Sequence, residues 1–255
     1  MSMVQNKACL NKSEEGLEIP QVVQDKMARS VNSAGKIDEQ AVNDLKFVNV
    51  TSREYRVIKR ALDIILSAIG LVVIAVPMLI VFAIMYIDDP GQVLFSQYRV
   101  GLGGRRFKLY KLRTMRCDTP KYLSTSEVDD PNKYITRVGR VLRKWSIDEL
   151  PQLINIVKGD MSIVGPRPLI SDEYEIHELR FKCGVYKVRP GLTGLAQING
   201  RDTVTPADKV RWDVKYLENF GFITDAKIVL ATIPKLFGAS GVVEGFKHTT
   251  ENERK

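Results

Sequence analysis

One stretch constrains this chain more than any other: Ile64 to Ile87, 24 consecutive residues without a charge. As a straight helix it would reach roughly 36 Å at about 1.5 Å per residue, enough to cross the hydrocarbon core of a bilayer. Spanning is therefore the default expectation. Two features favour another arrangement. Pro77 sits near the middle, where it removes one helical hydrogen bond and bends the axis. The flanks are basic on both sides, with Arg53, Arg56, Lys59 and Arg60 before the run and Arg99, Arg105, Arg106 and Lys108 after it. The positive-inside rule then gives no asymmetry and allows both ends on the cytoplasmic face. A helix–break–helix hairpin dipping into one leaflet satisfies both facts. A kinked spanning helix is the alternative.

The remaining sequence bounds what accompanies this element. A chain of 255 residues is one large domain, or one domain with appendages, and its body can bury a real core. The net charge is +8, but Met1 to Ser52 holds six basic and seven acidic residues, which leaves +9 on the rest. Such a body suits anionic partners: phospholipid head groups, nucleotides or nucleic acid. Cys9, Cys117 and Cys183 are odd in number and far apart, so neither a disulfide framework nor a zinc site is expected. A reducing cytosolic setting is the simpler reading. With only His177 and His248, chemistry built on a histidine cluster is nearly excluded.

The first fifty residues are polar, with one aromatic, Phe47, and no sustained periodicity, and read as a mostly disordered tail. They show no early apolar core or cleavage signature of a secretory signal. After the turn signal Asp88-Asp89-Pro90-Gly91, Val93–Val100 and Arg106–Arg113 flank Gly101-Leu102-Gly103-Gly104, which predicts a β-hairpin. Cys117 to Lys133 is polar and turn-rich, a loop over the site. Tyr134 to Lys144 predicts a short basic helix. Leu150, Leu153, Ile154 and Val157 follow the i, i+3, i+4, i+7 pattern, with Gly159 as the stop. Thr205-Pro206-Ala207-Asp208 starts a helix through Trp212 and Tyr216 to about Asn219, and Thr224 is a candidate cap for a last helix to about Phe237. The fold class is mixed α/β with helices dominant: a re-entrant membrane helix hairpin plus a small cytosolic domain containing a β-hairpin and short amphipathic helices.

Asp148 and Glu149 admit two readings. One is helix capping, with Asp148 as N-cap, Pro151 in the first turn, and Ser146-x-x-Glu149 as a capping box. The other uses the same geometry for chemistry. An aspartate ionised at a helix N-terminus can attack phosphorus, and a neighbouring glutamate can hold Mg²⁺ together with substrate phosphates. Arg167 lies between Pro166 and Pro168, which restrict the backbone on both sides, so its guanidinium is presented rigidly enough for bidentate phosphate binding; a surface salt bridge is the alternative. Lys111 and Arg113 alternate with Tyr110 and Leu112 near the hairpin end, facing either substrate or solvent.

The chain resembles the bacterial sugar transferases, the monotopic polyprenyl-phosphate phosphoglycosyl transferases. The matching stretches are Lys59-Arg60-Ala61-Leu62-Asp63, Phe95-Ser96-Gln97-Tyr98-Arg99-Val100-Gly101 and Tyr110-Lys111-Leu112-Arg113-Thr114-Met115. They continue with Asp148-Glu149-Leu150-Pro151-Gln152, Lys158-Gly159-Asp160-Met161-Ser162, Val164-Gly165-Pro166-Arg167-Pro168, Arg189-Pro190-Gly191-Leu192-Thr193-Gly194 and Gln197-Ile198-Asn199-Gly200-Arg201. The resemblance covers about Arg56 to Gly241 in the right order. It implies transfer of a phosphosugar from a UDP-sugar to a polyprenyl (undecaprenyl) phosphate, giving the polyprenyl-diphosphate sugar and UMP, as a first membrane step of exopolysaccharide, capsule or glycoconjugate synthesis. It implies that Asp148 is the nucleophile of a covalent phosphosugar–aspartate intermediate and that Glu149 binds Mg²⁺. Lys111, Arg113, Arg167, Arg201, Lys59 and Arg60 are the implied substrate-binding residues, and Pro77 the membrane break.

By the same resemblance the protein sits monotopically on the bacterial inner membrane, in contact with phospholipid, with its catalytic domain cytoplasmic. The chain then divides into a tail (1–52), the membrane hairpin (53–90), the transferase domain (91–241) and a C-terminal tail (242–255). A homodimer is left open, and no nucleic-acid partner is expected. Two competing readings remain: a glycosyltransferase that releases UDP, and a non-catalytic membrane scaffold of a polysaccharide assembly complex.

Overall fold

The uncharged run forms most of a single helix, α1 (Arg53–Asp88, 36 residues). This differs from the expected helix–break–helix, because helical backbone continues through Pro77. The proline removes the N–H that would bond the Val73 carbonyl and crowds that carbonyl with its ring. The flanking turns are held by packing instead: Met78, Val81, Phe82 and Met85 lie against Leu112 and Leu142. We describe the fold from a computed structural model, which covers residues 47–48, 50, 52–117, 119, 131–199 and 205–237.

One face of α1 follows the folded body along its length. Near its start, Arg60 donates to the carbonyls of Ile156 (2.6 Å) and Val157 (3.0 Å), and Asp63 accepts from the Ile163 amide at 3.0 Å. Gly70 leaves no room for a side chain beside Leu153 without displacing it. At the far end, Asp88 accepts from the Val138 amide, Asp89 accepts from the Cys117 amide, and Arg113 pairs with Asp89 at 3.3 Å. The opposite face is apolar and bare: Val72, Val73, Val76, Leu79, Ile80 and Ile87 are all exposed.

The body behind it is small and helix-rich. Strands β1 (Leu94–Val100) and β2 (Arg106–Leu112) form the antiparallel hairpin, with Leu94 opposite Leu112 and Val100 opposite Arg106. Helices α2 (Arg137–Lys144) and α3 (Gln152–Lys158) follow, and Gly159 ends α3 at φ 97° as its sequence position predicts. β3 (Ser162–Val164) pairs in parallel with β4 (Gly191–Thr193) across α4 (Tyr174–Lys182). This pairing and α4 were not legible as elements in the sequence. Then come α5 (Leu195–Asn199), α6 (Pro206–Glu218, capped by the Thr205 side chain) and α7 (Phe222–Phe237). α7 begins before Thr224, so that residue is inside the helix rather than its cap.

The main core gathers Val164, Leu179, Val185, Val210, Val214, Leu217 and Ile228 from β3, α4, α6, α7 and the turn after α4. Val50 belongs to it, and the amide of Val48 donates to the Cys183 carbonyl, so these positions just before α1 pack on the body. A second cluster, Phe107, Leu109, Ile156 and Met161, fixes the hairpin to α3. Asn155 locks the same contact: fully buried, it accepts from the Tyr110 amide (3.0 Å) and donates to the Lys108 carbonyl (2.7 Å). That bond sets the register of β2 against the segment carrying Asp148 and Glu149.

Candidate active site

Asp148 and Glu149 lie in a short 3-10 turn, Ile147–Glu149, between α2 and α3. Neither acts as the expected cap. Ser146 makes no side-chain capping bond, and the residue at the N-cap of α3 is Pro151. Ser146 instead adopts a left-handed conformation, φ 54° and ψ 24°, the one non-glycine residue with positive φ among the described residues. A non-glycine residue there costs on the order of 1–3 kcal/mol, and such outliers gather where a side chain must be aimed. Here the tight turn directs Asp148, 8% exposed, into a cavity of about 490 Å³.

The cavity is rich in positive charge. Arg99, Arg143, Arg167 and Lys209 line it together with Asp148, Glu149 and Glu173. Glu149 Oε1 stands 3.3 Å from Lys111 Nζ and 3.9 Å from an Arg167 Nη, so β2 and the Gly165-Pro166-Arg167-Pro168 loop converge on one carboxylate. Arg143 is aimed by its Nε–H bond to Thr114 Oγ1 at 2.8 Å. Gln197 also lines the cavity, and its Oε1 is buried with no hydrogen-bond donor among the described residues.

Arg167 is held from behind. Its carbonyl accepts from Arg180 at 2.8 Å, and Arg180 is paired with Asp213 through contacts of 2.7 and 2.9 Å, both side chains almost completely buried. Burial alone would weaken the charge on Arg180, but the adjacent Asp213 carboxylate more than offsets this and holds the guanidinium's pKa above its ordinary value. Three residues before Arg180, His177 donates from Nε2 to the Ile170 carbonyl and accepts at Nδ1 from the Tyr186 hydroxyl. Burial pushes the His177 pKa below its usual value, which keeps the ring neutral in this tautomer. The loop is tied to β4 as well: the Gly191 amide bonds the Pro166 carbonyl, and a side chain on Gly191 would collide with the Gly165 backbone.

The other expected site residues are placed elsewhere. Arg113 is engaged with Asp89 and Cys117 at the end of α1. Lys59 pairs with Asp225 at 2.5 Å, and Arg60 caps the carbonyl end of α3. Both line a separate cavity of about 110 Å³ with Arg56, Lys187 and Arg189. Arg201 and most of the expected loop after Cys117 lie outside the described residues. Sequence reasoning gave no site role to Arg143, Lys209, Arg180 or Asp213, counted Arg99 only among the basic flanks of the apolar run, and placed Gln197 only within a stretch of small residues and donors suited to a nucleotide pocket. Arg99 and Gln197 fall inside recognisable motifs; the others carried no signal beyond charge.

Residues 54–239 match the family described as bacterial sugar transferase. The chain belongs to that family. The transferase is 42% identical over 188 residues (70% of this chain, 69% of the relative) to a UDP-glucose:undecaprenyl-phosphate glucose-1-phosphate transferase of Caulobacter vibrioides. It is 37% identical over 190 residues (69% of this chain, 84% of the relative) to the exopolysaccharide production protein ExoY of Sinorhizobium fredii. A third relative, from Aeromonas hydrophila, is 36% identical over 212 residues, 81% of this transferase and 49% of that protein. It is named a UDP-N-acetylgalactosamine-undecaprenyl-phosphate N-acetylgalactosaminephosphotransferase.

Among the described residues no three His, Cys, Asp or Glu side chains gather into a metal site. The two carboxylates present fit a hard divalent cation. Mg²⁺ usually binds through one or two carboxylates and completes its shell with substrate phosphates and water. Asp148 and Glu149 supply hard oxygen donors of that kind within the positively charged cavity.

Proposed function

We propose that the transferase moves a sugar phosphate from a UDP-sugar to a polyprenyl phosphate at the cytoplasmic face of the inner membrane, releasing UMP. The observation that carries this reading is the meeting of Asp148 and Glu149 with Arg99, Arg143 and Arg167 around one cavity. The relatives' printed names supply the donor and acceptor classes.

The proposed steps give each of these residues a role. The donor's diphosphate lies against the arginines, whose planar donors suit phosphate oxygens. A carboxylate oxygen of Asp148 attacks the β-phosphorus in line, and the bond from that phosphorus to the UMP oxygen breaks. UMP leaves with the electron pair. The phosphosugar is now an acyl phosphate on Asp148. A phosphate oxygen of the lipid then attacks the same phosphorus, the aspartyl–phosphorus bond breaks, and the Asp148 carboxylate is regenerated beside a polyprenyl-diphosphate sugar. Lys111 and Arg167, drawn in by Glu149, stand ready to balance the phosphate charge. Gln197 Oε1 offers an acceptor for a hydroxyl of the sugar. Glu149 would hold Mg²⁺, which, when bound, neutralises negative charge on the diphosphate.

The membrane reading is monotopic. Both ends of α1 bond to the same body, through Arg60 and Asp63 at one end and Asp88 and Asp89 at the other. That supports both ends on one side of the bilayer, with the apolar outer face of α1 in lipid. Single cysteines at positions 52 and 119, in a chain cleared of its own, are expected to react only from the cytoplasmic side. Labelling of either from the outside of intact cells would refute the monotopic reading.

The activity is tested by supplying a panel of UDP-sugars with undecaprenyl phosphate and following nucleotide release. UMP is expected from at least one donor, with the Asp148→Asn variant silent. Release of UDP would identify a simple glycosyltransferase, and no turnover with any donor would leave a scaffold.

A further inference from the structure

The lining of the cavity at Asp148 is of two kinds. Its cationic residues are described above. Leu192 and Ala196, together with Val229, Thr232 and Ile233 of α7, line it as well. The three α7 residues are spaced i, i+3, i+4 and so share one face of that helix. Thr232 presents no unsatisfied hydroxyl there, because its Oγ1 bonds Thr193 Oγ1 at 2.8 Å and the Ile228 carbonyl at 2.7 Å.

α7 is also apolar on its outside. Phe222, Ile223 and Leu230 are 61–69% exposed, and Val229 and Ile233, which line the cavity, are themselves 37% and 46% exposed. Apolar surface therefore continues from the outer face of α7, over its edge, into the reactive cavity. No residue of α1 lines that cavity, although α1 is the longest apolar element among the described residues. A UDP-sugar matches this apolar lining poorly along its length, since its diphosphate and sugar hydroxyls need polar partners. The isoprenoid chain of the acceptor is the reactant whose surface matches it.

We infer that Val229, Ile233, Leu192 and Ala196 form the subsite for the first isoprene units of the lipid acceptor, and that the acceptor enters over the edge of α7 rather than along α1. The inference rests on the sugar-phosphate transfer reading. It places the acceptor's phosphate toward Arg167 and Asp148 and its chain toward the exposed face of α7, which is the direction of the lipid if that face meets the bilayer.

Acceptor length provides the test. The full chain in detergent micelles is assayed with dimethylallyl phosphate (one isoprene unit) and farnesyl phosphate (three units), using whichever UDP-sugar gives UMP. The unsubstituted protein is expected to favour the farnesyl acceptor about tenfold or more in kcat/KM. Ile233→Ser should raise KM for farnesyl phosphate about tenfold and KM for dimethylallyl phosphate less than about twofold. Val229→Ala makes the same comparison with a smaller change, should Ile233→Ser fold poorly. An Ile233→Ser variant that keeps its length preference, or loses both acceptors equally, overturns the subsite. So does a Val72→Ser substitution on α1 that abolishes the preference while the α7 variants retain it. Absence of a UMP burst from every donor in the unsubstituted protein refutes the transfer reading itself and takes the subsite with it. A normal burst with unaltered length preference refutes the subsite alone.

Discussion

Removing Asp213 leaves Arg180 buried without its counterion, and the consequence is calculable from its surroundings. Arg180 and Asp213 are 3% and 2% exposed and meet at 2.7 Å, so water cannot replace the lost carboxylate. Breaking such a pair from one side costs about 3–5 kcal/mol. For a body of this size each kcal/mol is worth about 2–4 °C in Tm, so Asp213→Ala should melt roughly 6–20 °C below the parent. Replacing both partners, Arg180→Met with Asp213→Leu, removes the uncompensated charge and should recover most of the loss. What remains is the Arg167 carbonyl and the Tyr186 hydroxyl without their Arg180 donor, at about 1–3 kcal/mol. Activity should not recover in parallel, because Arg167 is no longer held from behind: the double variant is expected to keep a raised KM for the UDP-sugar. Differential scanning fluorimetry in detergent and initial-rate kinetics on the three variants supply both readouts. A shift under about 2 °C for Asp213→Ala, or a double variant with the parent's KM, would refute the positioning role.

Three further outcomes follow from the same geometry. His177 is buried neutral with its pKa lowered mainly by burial, so the unfolded chain binds a proton that the folded one resists. Its contribution is complete above about pH 6.5 and is lost as pH falls through the lower folded pKa; Tm should therefore drop between pH 7 and 5, and His177→Gln should flatten that slope. Ser146→Gly relieves the left-handed strain and should raise stability by up to about 1 kcal/mol in denaturant titration while slowing turnover, because the turn aiming Asp148 loosens. Exhaustive chelation with EDTA should abolish turnover and added Mg²⁺ should restore it, whereas full activity without metal would contradict the role given to Glu149.

Local signals in the sequence carried as far as local physics does. The hairpin was legible because alternating apolar residues flank a glycine turn, and α3 and α6 because their apolar spacing ends at Gly159 and begins at Thr205. α4 was not: His177 and Arg180 are fully buried there, so an interior face carries the residues of a surface one. The parallel β3–β4 pair joins segments almost thirty residues apart through only three residues each, too short for any periodicity. At the site, Asp148, Glu149, Lys111 and Arg167 were readable and stand together, while Arg113, Lys59 and Arg60 share their chemistry but are engaged elsewhere. Composition cannot separate a phosphate-binding arginine from one that caps a helix or pairs with an aspartate. Only the partner distinguishes them, and the partners, Asp89, Asp225 and the α3 carbonyls, are distant in sequence.

The proposed chemistry turns on a covalent bond between Asp148 and the phosphosugar. It is tested most directly by mixing the transferase with its UDP-sugar in the absence of lipid acceptor, quenching in acid, and weighing the intact protein. One adduct of the phosphosugar's mass is expected, mapped to the peptide carrying Asp148, discharged by polyprenyl phosphate and absent from Asp148→Asn. A transferase that turns over with no such adduct, or an Asp148→Asn variant that still releases UMP, would contradict it.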